Sequence, residues 1–166
     1  MLAKGKVLVS GGAGFVGREV VKQLIFNGYQ VTVLDKAEKP HDFTHVKYIK
    51  GDIQNAAKCV MATAGQDFVI HLAARPRIPQ SFIDPDSYYD DNVTGTRNML
   101  TAASAVGIRK FVYASSSSIY GKIQHTKRRV CLEGNGEDSW KVSILEAVEI
   151  NPAKLCWKAV CPKTTA

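Results

Sequence analysis

At 166 residues the chain can form one domain with a real core, and 45% hydrophobic with 22% charged residues is an ordinary globular composition, neither disordered nor membranous. No window approaches the ~18 consecutive apolar residues that span a bilayer. The net charge of +7 is spread thinly, with Lys127-Arg128-Arg129 as the one tight basic run, which fits a solvated surface or an anionic small molecule better than a duplex-binding face. Neither a nucleic acid nor a membrane is therefore expected as a partner.

Met1 to Gly5 lead directly into the first strand and leave no room for a signal peptide, so the expected compartment is the cytoplasm. Lys6 to Ser10 carries three consecutive apolar residues, as in a central parallel strand covered on both faces. Glycines follow at Gly11, Gly12, Gly14 and Gly17, then an amphipathic helix that Asn27-Gly28 would end, with Phe15, Val16, Val20, Val21, Leu24 and Ile25 as its apolar stripe. A strand that stops at a Gly-rich turn and re-enters as a helix aims free backbone N–H groups and the positive end of the helix dipole at one point. That geometry suits a diphosphate. Gly11 allows the reversal, Gly14 keeps side chains away from the phosphates, and Gly17 lets helix and strand pack closely. Gly12 adds a permissive position.

The second strand, Gln30 to Leu34, ends at Asp35, whose carboxylate can accept from both adenosine ribose hydroxyls and would repel a 2′-phosphate. NAD is thus favoured over NADP; the alternative is a surface turn aspartate. Lys36 to His45 reads as a polar connection, and Val46 to Ile49 as a third strand closed by Gly51-Asp52-Ile53. Asp52 could bond the adenine amino group with Ile53 covering the ring, or cap a helix over Gln54 to Ala64.

Phe68 to Leu72 is a fourth strand running into Ala73-Ala74, with His71 read as a packed strand-end histidine. In the following loop, 75–85, Arg75 or Arg77 could meet an anion or remain solvated. Asp86 to Val106 is expected as one long helix whose first turns carry Asp86, Asp90 and Asp91 to complement the dipole, with Gly95 marking close packing. Lys110 to Ala114 is a fifth strand that opens into Ser115-Ser116-Ser117-Ser118-Ile119-Tyr120-Gly121. Strands alternating with helices predict an α/β fold, a doubly wound parallel sheet of the Rossmann type in the order 3-2-1-4-5.

Residues 10–17, Asp35, Gly51-Asp52-Ile53, His71-Leu72-Ala73-Ala74, Asn92-Val93-Thr94-Gly95-Thr96 and residues 115–121 stand in an order that resembles the extended short-chain dehydrogenase/reductases, closest to NAD-dependent nucleotide-sugar epimerases and dehydratases. The resemblance covers residues 6–121 and divides the chain into an NAD-binding domain, 1–121, and a divergent tail, 122–166. It implies NAD as cofactor, lined by Gly11, Gly12, Gly14, Phe15, Val16, Gly17, Asp35, Asp52, Ile53, Leu72, Ala73, Ala74 and Asn92. It makes Ser116 the serine that hydrogen-bonds the sugar hydroxyl being oxidised, with Ser115 and Ser117 as register alternatives. The implied chemistry is hydride transfer from a sugar C–OH to NAD, then return of the hydride to the other face of the keto sugar. Family members take the hydroxyl proton on a tyrosine paired with a lysine four residues later. Here no Tyr-x-x-x-Lys occurs anywhere in the sequence.

The tail suggests a helix through Trp140, Val142, Ile144, Leu145, Val148 and Ile150, capped by Asp138 or Ser139 and ended by Pro152; unless it covers the fifth strand, that strand is a sheet edge. The four cysteines, Cys59, Cys131, Cys156 and Cys161, form no C-x-x-C pair and read as free thiols, with no metal. The expectation is the NAD-binding portion of a nucleotide-sugar epimerase/dehydratase, truncated and weakly active or inactive alone, its sugar-nucleotide partner bound only if the missing lobe is supplied. A homodimer through the Asp86–Val106 helix stays open. The alternatives are a non-catalytic NAD(H)-binding regulatory module and an extended reductase for a steroid- or flavonoid-type substrate. Asp35 argues against the NADPH-using members of the latter.

Overall fold

The computed structural model describes residues 4–115 and the strand 145–148. The chain order is β1 (Lys6–Ser10), α1 (Phe15–Phe26), β2 (Gln30–Asp35), β3 (Lys47–Lys50), α2 (Ala56–Thr63), β4 (Phe68–His71) and α3 (Ile78–Ser81). It continues through α4 (Pro85–Tyr89), a π-helical turn (Asp90–Thr94), α5 (Gly95–Ala105), β5 (Lys110–Ala114) and β6 (Leu145–Val148). The sheet order is β3-β2-β1-β4-β5-β6, and β1 to β5 are all parallel. The expected 3-2-1-4-5 arrangement is therefore present.

Both faces of the sheet are covered, which is why its strands read as apolar runs. In β1, Val7 and Val9 point into a cluster with Val21 of α1, Val31, Val33 and Val46. Leu8, between them, points to the opposite face and packs with Leu34, Cys59 and Ala62 of α2, Val69, Met99 and Ala103 of α5, and Phe111. Phe43 joins the α1 side at 2% exposure, so the connection 36–45, expected to be polar, contributes a core residue.

Four local expectations change. The buried side of α1 is Gly17 and Val21, with Val20 and Leu24 packed beside them. Those positions are three or four residues apart, whereas Phe15 at 97% and Val16 at 57% exposure fall on another side of the cylinder and face solvent. The cap of α2 is Asn55, whose side-chain oxygen accepts from the Lys58 N–H at 3.1 Å, while Asp52 instead accepts from the Gln54 N–H at 2.9 Å. The long helix expected over 86–106 is divided, because a π turn lies between α4 and α5. Asp84, one residue before Pro85, caps α4 by accepting from the Ser87 N–H at 3.2 Å.

The fourth change lies in the tail, where 145–148 form a strand rather than part of a helix. β6 runs antiparallel to β5, Leu145 opposite Ala114 and Val148 opposite Phe111. A parallel strand left at the edge presents unpaired N–H and C=O groups, and β6 pairs them. The remainder of the proposed tail helix lies outside the described residues. Among the described residues no helix is long and apolar enough to cross a membrane.

Candidate functional site

The carboxyl ends of β1, β2 and β4 converge where the sheet order reverses direction, the point at which open α/β sheets form a crevice. β1 ends at the glycine turn, whose residues meet different demands. Gly11 has φ +74°, and a Cβ there would stand 2.6 Å from the backbone nitrogen of Ala73. It therefore satisfies both a left-handed turn and a close approach of the β1 and β4 exits. A Cβ on Gly12 would run into the Val33 side chain at 2.8 Å, and one on Gly17 would lie 2.7 Å from the Gly12 Cα. These two glycines serve packing. Gly14 differs, because among the described residues the one atom near its Cβ position is the Gly11 carbonyl oxygen at 3.3 Å. It precedes α1 as its N-cap and, having no side chain, makes no capping hydrogen bond.

A cleft of about 250 Å³ opens at this point, lined by Gly11, Ala13, Gly14, Leu34, Asp35, Lys36, Ala37, Gly51, Asp52, Ile53, Leu72, Ala73, Ala74 and Asp91. Eight of the thirteen residues expected around a dinucleotide thus come together: Gly11, Gly14, Asp35, Asp52, Ile53, Leu72, Ala73 and Ala74. Gly12 and Gly17 lie behind the turn as packing residues, and the side chains of Phe15 and Val16 point to solvent, leaving only their backbone for a ligand. Ser116, Ser117 and Tyr120 lie outside the described residues. A cradle that a side chain at Gly14 would enter, beside an uncapped helix start, fits an anionic diphosphate.

Asp35 ties the glycine turn to the β2 exit. Its Oδ2 accepts from the Ala13 N–H and its Oδ1 from the Ala37 N–H, each at 2.9 Å. Asn92 holds the β4 exit loop instead of lining the cleft, its Oδ1 accepting from the Arg75 N–H at 2.8 Å and its Nδ2 donating to the Arg75 carbonyl at 3.2 Å. Arg77, with φ +88°, is the non-glycine residue in that loop with left-handed backbone.

The π turn brings Asp91 to the cleft at 3% exposure. Its Oδ2 accepts from Arg75 Nε at 2.5 Å and Lys36 Nζ at 3.0 Å, and its Oδ1 from Gln54 Nε2 at 2.7 Å. Burial acts to raise the carboxyl's pKa, but the hydrogen bonds from Arg75, Gln54 and Lys36 and the Lys36 charge outweigh it and hold the group below the ordinary carboxylate range. Arg75 is committed to Asp91 and, at 3.7 Å, to Asp84, and its guanidinium lies over the Tyr88 ring. The sequence reading missed Asp91 and Lys36. A signal existed: Asp91, Gly95, Met99, Ala102 and Ala103 recur at helical spacing and are all buried, and an aspartate on an apolar stripe requires partners.

His71 sits beneath the glycine turn at 1% exposure. Its Nδ1 is 2.6 Å from Ser10 Oγ and its Nε2 3.0 Å from Thr96 Oγ1. Since the Thr96 hydroxyl donates to the Asn92 carbonyl at 2.7 Å, its oxygen is left to accept. The network thus assigns the proton to Nε2 and makes Nδ1 the acceptor for Ser10. Burial pushes the imidazole pKa down to about 4, so the ring is neutral. It is the packed histidine that the sequence suggested, stacked on Tyr113 at 5.7 Å.

The sequence model of the NAD dependent epimerase/dehydratase family matches residues 7–139. The chain belongs to this family. Among relatives, a UDP-glucose 4-epimerase of Klebsiella pneumoniae is 34% identical over 128 residues, 70% of this chain and 92% of that sequence. A UDP-glucose 4-epimerase of Rhizobium meliloti is 37% identical over 125 residues, 72% of this chain but 38% of the relative. Solved structures of the family show the same fold. MoeE5 in complex with UDP-glucuronic acid and NAD superposes with a TM-score of 0.67 at 34% identity, over 72% of this chain and 40% of that one. UDP-glucose 4-epimerase from Brucella ovis in complex with NAD gives 0.65 at 35% identity, over 70% and 37%. The chain thus spans about two-fifths of the length of the Rhizobium meliloti, MoeE5 and Brucella ovis proteins, and nearly all of the Klebsiella pneumoniae sequence.

Proposed function

We propose that this chain is the NAD-holding portion of a nucleotide-sugar epimerase or dehydratase, and that it turns over sugar nucleotides weakly or not at all by itself. The observation that carries the binding half is the glycine turn, where Gly14 leaves room beside an uncapped α1 while Gly11, Gly12 and Gly17 are required by packing. The pyrophosphate would lie on the α1 start, held by backbone N–H groups. Asp35, at the β2 exit, has lone pairs beyond those used by Ala13 and Ala37 and would accept from the adenosine ribose hydroxyls. Asp52 and Ile53 would meet the adenine, with its amino group on the carboxylate and the ring face on the apolar side chain. Ala73 and Ala74 keep the β4 exit narrow enough for a cofactor to approach the backbone. NAD, when bound, supplies a hydride acceptor and donor at its nicotinamide.

The catalytic half is where this chain differs. Ser116 would hydrogen-bond the sugar hydroxyl, but no tyrosine in the sequence has a lysine four residues on to ready it as proton acceptor. The same absence favours, as second reading, a non-catalytic NAD(H)-responsive module. Calorimetric titration with NAD, coupled to an epimerisation assay on UDP-glucose, separates the readings. NAD binding with little or no turnover is expected, and brisk turnover by the isolated chain would refute the inactive half. Gly14→Val should abolish NAD binding while the far-UV circular dichroism stays unchanged; retained affinity would overturn the cradle.

A further inference from the structure

Lys36 follows Asp35 directly and lines the same cleft, yet its ammonium is turned across to the π turn, 3.0 Å from Asp91 Oδ2. Its side chain is 56% exposed, so packing does not dictate this placement. Nor does Asp91 depend on it, since Arg75 Nε and Gln54 Nε2 already supply a charged and a neutral donor to the same carboxylate. The contact thus decides where the lysine is, more than how the aspartate is satisfied. A lysine next to the ribose-binding carboxylate is the kind of group that receives a 2′-phosphate, because a cation beside the 2′ position offsets the phosphate's charge.

Resting on the dinucleotide reading above, we propose that Asp91 is a positioning residue for cofactor choice: by anchoring Lys36 across the cleft it withholds the cation that a 2′-phosphorylated dinucleotide would need. Two features then act together against NADP. Asp35 repels the 2′-phosphate, and Asp91 occupies the ammonium that would otherwise compensate. The discrimination is built from β2 and the π turn, 55 residues apart in sequence.

The test is calorimetric titration of NAD and NADP against the full chain and its variants, with the ratio of the two dissociation constants as readout. Asp91→Asn frees Lys36 and should move the ratio toward NADP by about fivefold, what one partly exposed ion pair contributes. Adding Lys36→Met to Asp91→Asn should return the ratio to the parental value, which a general loosening of the cleft would not do. An unmoved ratio in Asp91→Asn, with NAD still bound, overturns the inference. Should Asp91→Asn fail to fold by circular dichroism, Lys36→Met alone decides. An NADP:NAD ratio within about twofold of the parent supports an anchored lysine, and a weakening of NADP by about fivefold overturns it. A parental chain that binds neither nucleotide defeats the dinucleotide reading itself, a result distinct from an unmoved ratio.

Discussion

The two sides of the cleft are held by opposite means. On the α1 side the backbone does the work: a glycine turn in which a single added carbon would strike Ala73, Val33 or the turn itself, with no charged side chain holding it together except Asp35 on the Ala13 N–H. On the α5 side the backbone is irregular, with a π turn and a left-handed Arg77, and side chains hold it through Asp91, Arg75, Lys36, Gln54 and Asn92. The first side is sensitive to volume added at Gly11, Gly12 and Gly17, and the second to loss of the Asp91 carboxylate.

That contrast can be broken most severely at Gly17. Its Cβ position overlaps the glycine turn, so Gly17→Val should cost at least about 3 kcal/mol in a urea titration, the upper end for overpacking. Gly14→Val should leave the midpoint nearly unmoved, and equal losses at the two glycines would erase the distinction between packing and cradle. The next effect is set by pH. His71 has a folded pKa lowered from 6.5 to about 4, so both states are neutral above 6.5, and on acidification the unfolded chain takes the proton first. Stability should therefore fall by about 3 kcal/mol between those two values and level off below, at about 1.4 kcal/mol per pKa unit. Urea midpoints measured every half unit would show the slope, and His71→Gln should flatten it.

The charged side should respond in a separate, lower window. The Asp91 pKa is depressed, so its contribution is complete above the ordinary carboxylate value, near 4, and disappears as pH falls below it. At neutral pH Asp91→Ala should cost about 2 kcal/mol, less than an isolated buried pair because Arg75 and Lys36 can turn to water. An acid transition in Asp91→Ala identical to that of the parent would assign the low-pH loss elsewhere. The smallest effect is at Phe15, where Phe15→Ser should change stability by no more than about 0.5 kcal/mol despite removing an aromatic ring, since the ring is 97% exposed.

The same division governs what can be read from the residues alone. Glycines, short continuous apolar runs and helix stops state local demands in local terms, which is why β1 through β5, their order and the Gly14–Asp35–Asp52 rim are legible in the chain. The Asp91 cluster draws residues 36, 54, 75 and 91 from four separate segments, and no short window contains the reason for any of them. Asp91 could be read as a helix-dipole charge because Asp86 and Asp90 stand beside it, yet its burial follows from the π turn. Phe15 and Val16 misled in the opposite direction, since apolar character at the start of a helix does not say which way that turn faces. For β6 the periodicity of residues 140–150 suited a helix, and pairing with an open strand prevailed over it.

The antiparallel return of β6 reverses the chain direction at the edge of the sheet. β5 climbs toward the rim of the cleft and ends at Ala114; β6 starts opposite that residue and descends to Val148, opposite Phe111. The pairing therefore sets Ala114 and Leu145 together at the end of the sheet that carries the cleft, and Phe111 and Val148 together toward its other end. Among the described strands this is the one antiparallel pairing, so chain polarity reverses at the edge of an otherwise parallel sheet, and the last residue of β6 lies at the end away from the cleft.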